Sequence, residues 1–255
     1  MSKTGKTMKS GLAAVLMMAG TYAAHAADVT VGADAVSSYV WRGITLNKDA
    51  VIQPSLAAEH ESGFAIEVWA NFDLGDDDGT YAEREFSEID FDVSYTVDLD
   101  PVSLTVGYIE YTFPAAPIVS VEEGDVDFAT ADREIYVSVG TEVVPGLGLD
   151  LTVYQNLATS DGTYAVLGAE YGLEVIDGVS LALNGSVAYG AKGITAGGKS
   201  GWHDYLIGLT AEMEIVEDVS VSAFVNYVGS LDSDVLPSEF VREDIYGGLG
   251  VYYSF

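Results

Sequence analysis

The sequence predicts an all-β fold: a transmembrane antiparallel up-and-down β-barrel of about twelve strands, preceded by a cleavable signal peptide. Three observations carry this expectation. Apolar and polar residues alternate with period two along most of the chain, the pattern of strands with one apolar face. Tight turns alternate with longer polar connections. The last strand stops on an aromatic residue, Phe255.

Composition narrows the field. The 255 residues carry 40 acidic and 10 basic side chains, for a net charge of −30, and no cysteine. Such acidity is common in disordered chains, but those are poor in aromatic and β-branched residues. Here 16 Tyr, 9 Phe and 3 Trp accompany many valines, so apolar surface is available to shelter. Nucleic acid is excluded as a partner, because phosphate is repelled and no basic patch releases counterions. Without cysteine there is no disulfide scaffold and no thiolate metal site.

The first 26 residues read as targeting. Lys3, Lys6 and Lys9 precede an apolar stretch from Leu12 to Ala19, and Ala24-His25-Ala26 offers small residues where a signal peptidase cuts. Residues 1–26 are therefore expected to be removed, leaving 27–255 as the barrel domain. Seven basic residues then face all 40 acidic ones, a net charge of −33. No later stretch has the run of 18 or more apolar residues that a membrane helix needs, so a membrane would be crossed by strands.

The strands follow in order: 28–38, 50–61, 64–74, 86–97, 102–113, 133–143, 149–159, 163–176, 179–190, 203–215, 219–230 and 244–255. In the fourth, Ile89, Phe91, Val93, Tyr95 and Val97 alternate with Glu88, Asp90, Asp92, Ser94 and Thr96. In the sixth, Ile135, Val137 and Val139 alternate with Glu134, Tyr136 and Ser138. The tight connections are Ser62-Gly63, Leu99-Asp100-Pro101, Val144 to Gly148, Asp177-Gly178 and Val216 to Asp218, with residues that tolerate the positive φ of hairpin turns. The others are mostly longer: Tyr39 to Asp49, Gly75 to Glu85, Pro114 to Asp132, Ala191 to Trp202 and Leu231 to Glu243. Short turns on one rim and long loops on the other are the habit of outer-membrane barrels. A soluble β-sandwich is the alternative, with the apolar faces packed between two sheets.

Facing follows from charge. In lipid the apolar parity looks outward and the polar parity lines a watery lumen. The lumen set then holds Asp34, Glu59, Glu67, Asp90, Asp92, Glu134, Glu142, Asp150, Glu170, Glu174, Glu212 and Glu214. So many carboxylates would be costly in a dry core without basic partners. The same parity carries small residues, among them Gly32, Gly107, Gly168, Gly208 and Gly248, which are expected to leave room for water or to let a narrow barrel close. Larger inner residues (Trp69, Tyr136, Tyr154 and Phe224) are the candidates for a plug. Tyr95, Tyr189, Tyr227, Tyr253 and Trp202, near strand ends, suit an interfacial aromatic girdle.

Catalytic chemistry finds little support. His60 and His203 are expected on opposite rims. Ser200, His203 and Asp204 are close in sequence, but successive strand residues point to opposite faces. The acidic runs Asp76-Asp77-Asp78-Gly79 and Glu122, Glu123, Asp125, Asp127 lack the spacing of a calcium loop and read as exposed acidic loops. Gly193 to Gly201 lacks a phosphate-loop lysine pattern.

One stretch goes beyond periodicity. Ser38-Tyr39-Val40-Trp41-Arg42-Gly43, then Pro54, Ser62-Gly63-Phe64 and Val68-Trp69-Ala70-Asn71, resembles the opening of the TorF-type porin family, also called Gcw_chp. Ala65-Ile66-Glu67 stand where that family commonly has an aromatic-Ala-Gly step. The resemblance implies the outer membrane of a Gram-negative bacterium and a barrel fold more than it implies a substrate. Phe255 on the last strand resembles the signal read by the barrel-assembly machinery. Arg42 follows the first strand, where an inward-folded loop would pair it with lumen carboxylates; a surface salt bridge or a loop-positioning role is the alternative.

The expectation for function is a passive channel for small hydrophilic solutes, with an acidic lumen that prefers cations. Its partners would be outer-membrane lipid, those solutes and the assembly machinery; no cofactor or metal is called for. The alternatives are a structural or interaction barrel with a plugged lumen and a barrel enzyme acting on lipid through His203.

Overall fold

The computed structural model describes residues 27–75, 84–114, 131–176 and 178–255. The expected leader at 1–26, the acidic runs at 76–79 and 122–127, and Asp177 lie outside the described residues.

In chain order the strands are β1 (Ala27–Val36), β2 (Tyr39–Trp41), β3 (Ile44–Asn47), β4 (Val51–His60), β5 (Phe64–Asp73), β6 (Phe86–Asp98), β7 (Val102–Thr112) and β8 (Ala131–Val144). There follow β9 (Leu147–Asn156), β10 (Thr163–Ile176), β11 (Val179–Gly190), β12 (Gly201–Val216), β13 (Val219–Ser230) and β14 (Ile245–Ser254). All but β2 and β3 form one closed antiparallel barrel of twelve strands. β1 closes it by pairing with β4 on one side and β14 on the other, Val31 opposite Leu56 and Tyr253. The strand limits agree with the sequence reading to within a few residues; β9 stops at Asn156, three residues early, because Leu157 to Gly162 turn the chain.

Alternation decides the two faces. Phe91, Val93, Tyr95 and Val97 on β6, and Ile135, Val137 and Val139 on β8, are all exposed on the outer surface. Tyr95, Tyr189, Tyr227, Tyr253 and Trp202 are exposed on the same face near the rims. A protein with this much apolar side-chain surface turned outward is built for a hydrocarbon solvent. The tight turns use the residues expected: Gly63, Gly146, Gly178 and Asp218 all have positive φ. Gly63 is also a close approach, because a Cβ there would strike the carbonyl oxygen of Thr96.

The inner glycines do not simply leave space for water. Gly32, Gly107, Gly208 and Gly248 each make a bed for a neighbour's side chain. Tyr136 of β8 lies across Gly107 of β7 and reaches Asp92 of β6, its hydroxyl 3.2 Å from Oδ1. Tyr252 of β14 lies over Gly32 of β1 and donates to Asp34 at 2.7 Å. Phe224 covers Gly248, and Asn184 and Asn226 flank Gly208. Ring-over-glycine packing thickens the inner wall and narrows the lumen.

Candidate functional site

A deviation from a plain barrel begins where β1 ends. Instead of looping outward, the chain turns into the lumen as the β2–β3 ribbon, with Trp41 paired to Ile44 and Arg42-Gly43 as a two-residue turn. Both turn residues have positive φ, 48° and 77°, as two-residue hairpins of this hand require. Gly43 supplies one of these cheaply and also fits where a side chain would not: a Cβ would stand 2.8 Å from Asp204 Cβ and 2.9 Å from Leu236.

The tip carries Arg42 across the barrel to the far wall. Its guanidinium donates twice to Glu134 of β8, at 2.9 and 2.7 Å, a fork-on-fork pair. Three aromatic rings close around it: Trp41, Tyr154 and Tyr164, with centroids 4.4, 4.6 and 4.3 Å from the guanidinium carbon. Arg42 and Glu134 are 6% and 1% exposed. Burial penalises an unpartnered guanidinium charge, and the two-point pairing with the Glu134 carboxylate compensates it. Of the two alternatives for Arg42, the inward-folded loop is the one adopted.

The wall behind Arg42 is ordered by its own bonds. Tyr111 of β7 donates to Glu134 at 2.9 Å. Tyr164 of β10 donates to Asp204 of β12 at 2.7 Å, and His203 Nδ1 stands 2.7 Å from the same oxygen. His203 and Asp204 both point inward, which the alternation rule forbids. The reason is a β-bulge: the β11–β12 register jumps from Val187–Tyr205 to Tyr189–Trp202, so Ala188 faces two residues. A second bulge, where Asn71 pairs with Glu88 but Phe72 with Phe86, turns Ser87 and Glu88 inward together. Ser200 is engaged elsewhere, its hydroxyl accepting the Lys192 backbone N–H at 2.7 Å.

The rest of the ribbon is pinned on the other side of the lumen. Tyr39 donates to Glu88 at 2.7 Å and packs on Trp69, ring centroids 5.7 Å apart. Asn47 donates to Asp73 at 2.7 Å. Arg242, in the last long loop, donates from its backbone to Thr45 Oγ1 at 3.0 Å and from its side chain to the Thr45 carbonyl at 3.1 Å. Buried Leu236 from that loop presses inward beside the tip, and buried Val235 packs at Gly201. Of the four large residues expected to plug the lumen, Trp69 and Phe224 pack around Tyr39, Val36 and Val51. Tyr136 and Tyr154 pack against each other, 5.5 Å apart, with Tyr154 also on Arg42. They thus gather at the ribbon, not at a level of their own.

The carboxylates expected on the inner parity fall into three groups. Glu134 alone is committed to Arg42. Glu59, Glu67, Asp90, Asp92, Asp150, Glu170 and Asp34 are half-buried on the inner wall, and Glu212 is buried there. Glu142, Glu174 and Glu214 are exposed, at the mouth formed by the tight turns, where Glu142 accepts the Gly146 N–H at 2.8 Å. Of the family-like residues, Tyr39, Trp41, Arg42 and Gly43 form the ribbon, Trp69 supports it, and Gly63-Phe64 lie at a tight turn with Phe64 outward. Phe255 is exposed and stacks on Tyr253 at 5.5 Å. Reasoning from sequence passed over Tyr111 and Tyr164; it named His203 and Asp204 but placed them on opposite faces, and only a bulge could have revealed their shared facing.

Comparisons with known proteins agree with this architecture. The family described as bacterial protein of unknown function (Gcw_chp) matches residues 20–246. No curated protein matches the chain. Among solved structures, a KdgM porin in complex with disordered oligogalacturonate is similar at 9% identity, with a TM-score of 0.55 over 89% of this chain and 99% of that one. The COG4313 outer-membrane channel from Pseudomonas putida F1 is 11% identical, TM-score 0.54, over 92% and 97%. The NanC porin is 11% identical, TM-score 0.52, over 89% and 98%. At these identities the likeness is one of fold: a twelve-stranded barrel of the outer-membrane porin type.

Proposed function

The chain belongs to the Gcw_chp family, and from that premise we propose that it is an outer-membrane channel for small hydrophilic solutes, cation-preferring and narrowed by the β2–β3 ribbon. The observation that carries this reading is the charge of the inner wall. Among the described strand residues on the inner parity none is Lys or Arg, while Glu59, Glu67, Asp90, Asp92, Asp150, Glu170 and Glu212 are acidic. Arg42, the arginine at the tip of the ribbon, is already paired with Glu134. A low-dielectric wall around a narrow wet path focuses such charge, raising the local concentration of cations and repelling anions. The leader at 1–26 delivers the chain for export, and the strand ending at Phe255 is the feature the assembly machinery reads. The fold shared with a porin seen with oligogalacturonate does not carry that polyanion over to this acidic lumen. No catalytic step is required.

The test is planar-bilayer conductance. Cation-selective current is expected, with selectivity falling in a Glu67→Gln/Asp90→Asn/Asp92→Asn barrel. Anion-selective current would refute the charge assignment. A second reading is an interaction barrel with a sealed lumen, favoured by the ribbon being held from β6, β8 and the last long loop at once. It predicts no current in well-inserted protein.

A further inference from the structure

Arg42 sits in a receptacle that owes little to the ribbon. Glu134 is held by Tyr111, and Tyr164 by Asp204, all of them barrel residues. Tyr154 stands between, 5.5 Å from Tyr136 and 6.4 Å from Tyr164. Apart from Trp41, every group that contacts the guanidinium comes from the wall. A carboxylate presenting both oxygens to a planar fork, between aromatic faces, is the chemistry that selects guanidinium over a hydrated metal cation. A primary ammonium group satisfies the same charge and the same rings with three rotatable donors in place of the planar fork.

The geometry points to a wall site built to take a guanidinium or primary ammonium group, with Arg42 as its tethered occupant. Resting on the channel reading, this names the solute class: small cations that carry such a group and compete with Arg42 for Glu134. A tethered group acts at an effective concentration of about a millimolar or more, so a free ligand displaces it only at comparable levels. Displacement unseats the tip while Tyr39, Asn47 and Thr45 keep the base of the ribbon in place. The same contacts keep the ribbon in the lumen when Arg42 is shortened.

The experiment titrates refolded barrel in detergent with guanidinium ion by calorimetry, against potassium at equal ionic strength. Arg42→Ala is expected to bind guanidinium at least tenfold more tightly than the native barrel, because the occupant is gone. Adding Glu134→Gln should weaken that binding at least tenfold. Equal binding by native and Arg42→Ala barrels, or binding indifferent to Glu134→Gln, overturns the inference. If Arg42→Ala does not refold, Trp41 emission of a barrel that keeps Arg42 and has Trp69 and Trp202 changed to Phe answers instead: a shift with guanidinium and none with potassium supports the site, and equal responses overturn it. Potassium conductance of the native barrel reports separately on the channel reading. A barrel that conducts but binds no guanidinium sinks this inference alone; one that binds but does not conduct supports the site and sinks the channel.

Discussion

Replacing Arg42 by Met while keeping Glu134 tests how the ribbon is anchored. The substitution removes two charge-assisted bonds of 2.9 and 2.7 Å and three ring contacts within 4.6 Å. It leaves a carboxylate that is 1% exposed with Tyr111 as its remaining donor. Removing one partner of a buried pair costs about 3–5 kcal/mol, most of it the stranded charge. Replacing both partners, Arg42→Met with Glu134→Leu, strands no charge and leaves only the Tyr111 hydroxyl without its acceptor, so it should cost about 1–3 kcal/mol. The single change is thus worse than the double. Twelve paired strands close the barrel without the ribbon, so the loss should appear as local opening before the barrel melts. The assay is a urea titration in lipid vesicles following Trp41 emission, with Trp69 and Trp202 changed to Phe. If the Arg42→Met and Glu134→Leu effects simply add, or if Arg42→Met costs less than about 1 kcal/mol, the pair is not the anchor described here.

Other consequences can be checked alongside. Val137 is 46% exposed on the outer face, and Val137→Arg should lower stability in vesicles by about 2–4 kcal/mol if it lies near mid-bilayer. Ser138→Arg, one residue on and facing the lumen, should fold with a much smaller loss; the reverse order in a urea titration would invert the assignment of faces. Gly107→Val forces Tyr136 off its bed, breaking its bond to Asp92, at about 1–3 kcal/mol, visible as a lower urea midpoint and a changed single-channel conductance. Lys199 and Asp234 join two long loops at 2.8 Å, and the Lys199 ammonium holds the Asp234 carboxyl below its ordinary pKa. That link is complete above the ordinary carboxylate pKa and is lost as pH falls through the lowered value. Spin labels on these loops should therefore separate in strong acid and stay close at neutral pH, while Asp234→Asn removes the transition.

The sequence by itself determined the barrel. Alternation is a local property with a period of two, so the Ile135-to-Val139 run and its polar partners announce a face wherever the strand ends up. Turn residues are equally local, and Gly63, Gly146 and Asp218 stand where the chain reverses. Once lipid was chosen over a second sheet, the count of carboxylates against seven basic residues settled which parity looked inward.

Only the tertiary structure decided what occupies the lumen. Arg42 meets Glu134 across 92 positions, and no periodicity in either segment records that partnership. His203 and Asp204 share a face because two strands slip by one residue relative to each other, a matter of pairing and not of either strand alone. The glycines, too, took their meaning from the neighbouring strand, whose rings lie across them. Strand identity is written in short-range pattern; contacts across a closed barrel depend on register and on where a loop folds, and those exist only once the ring of strands is complete.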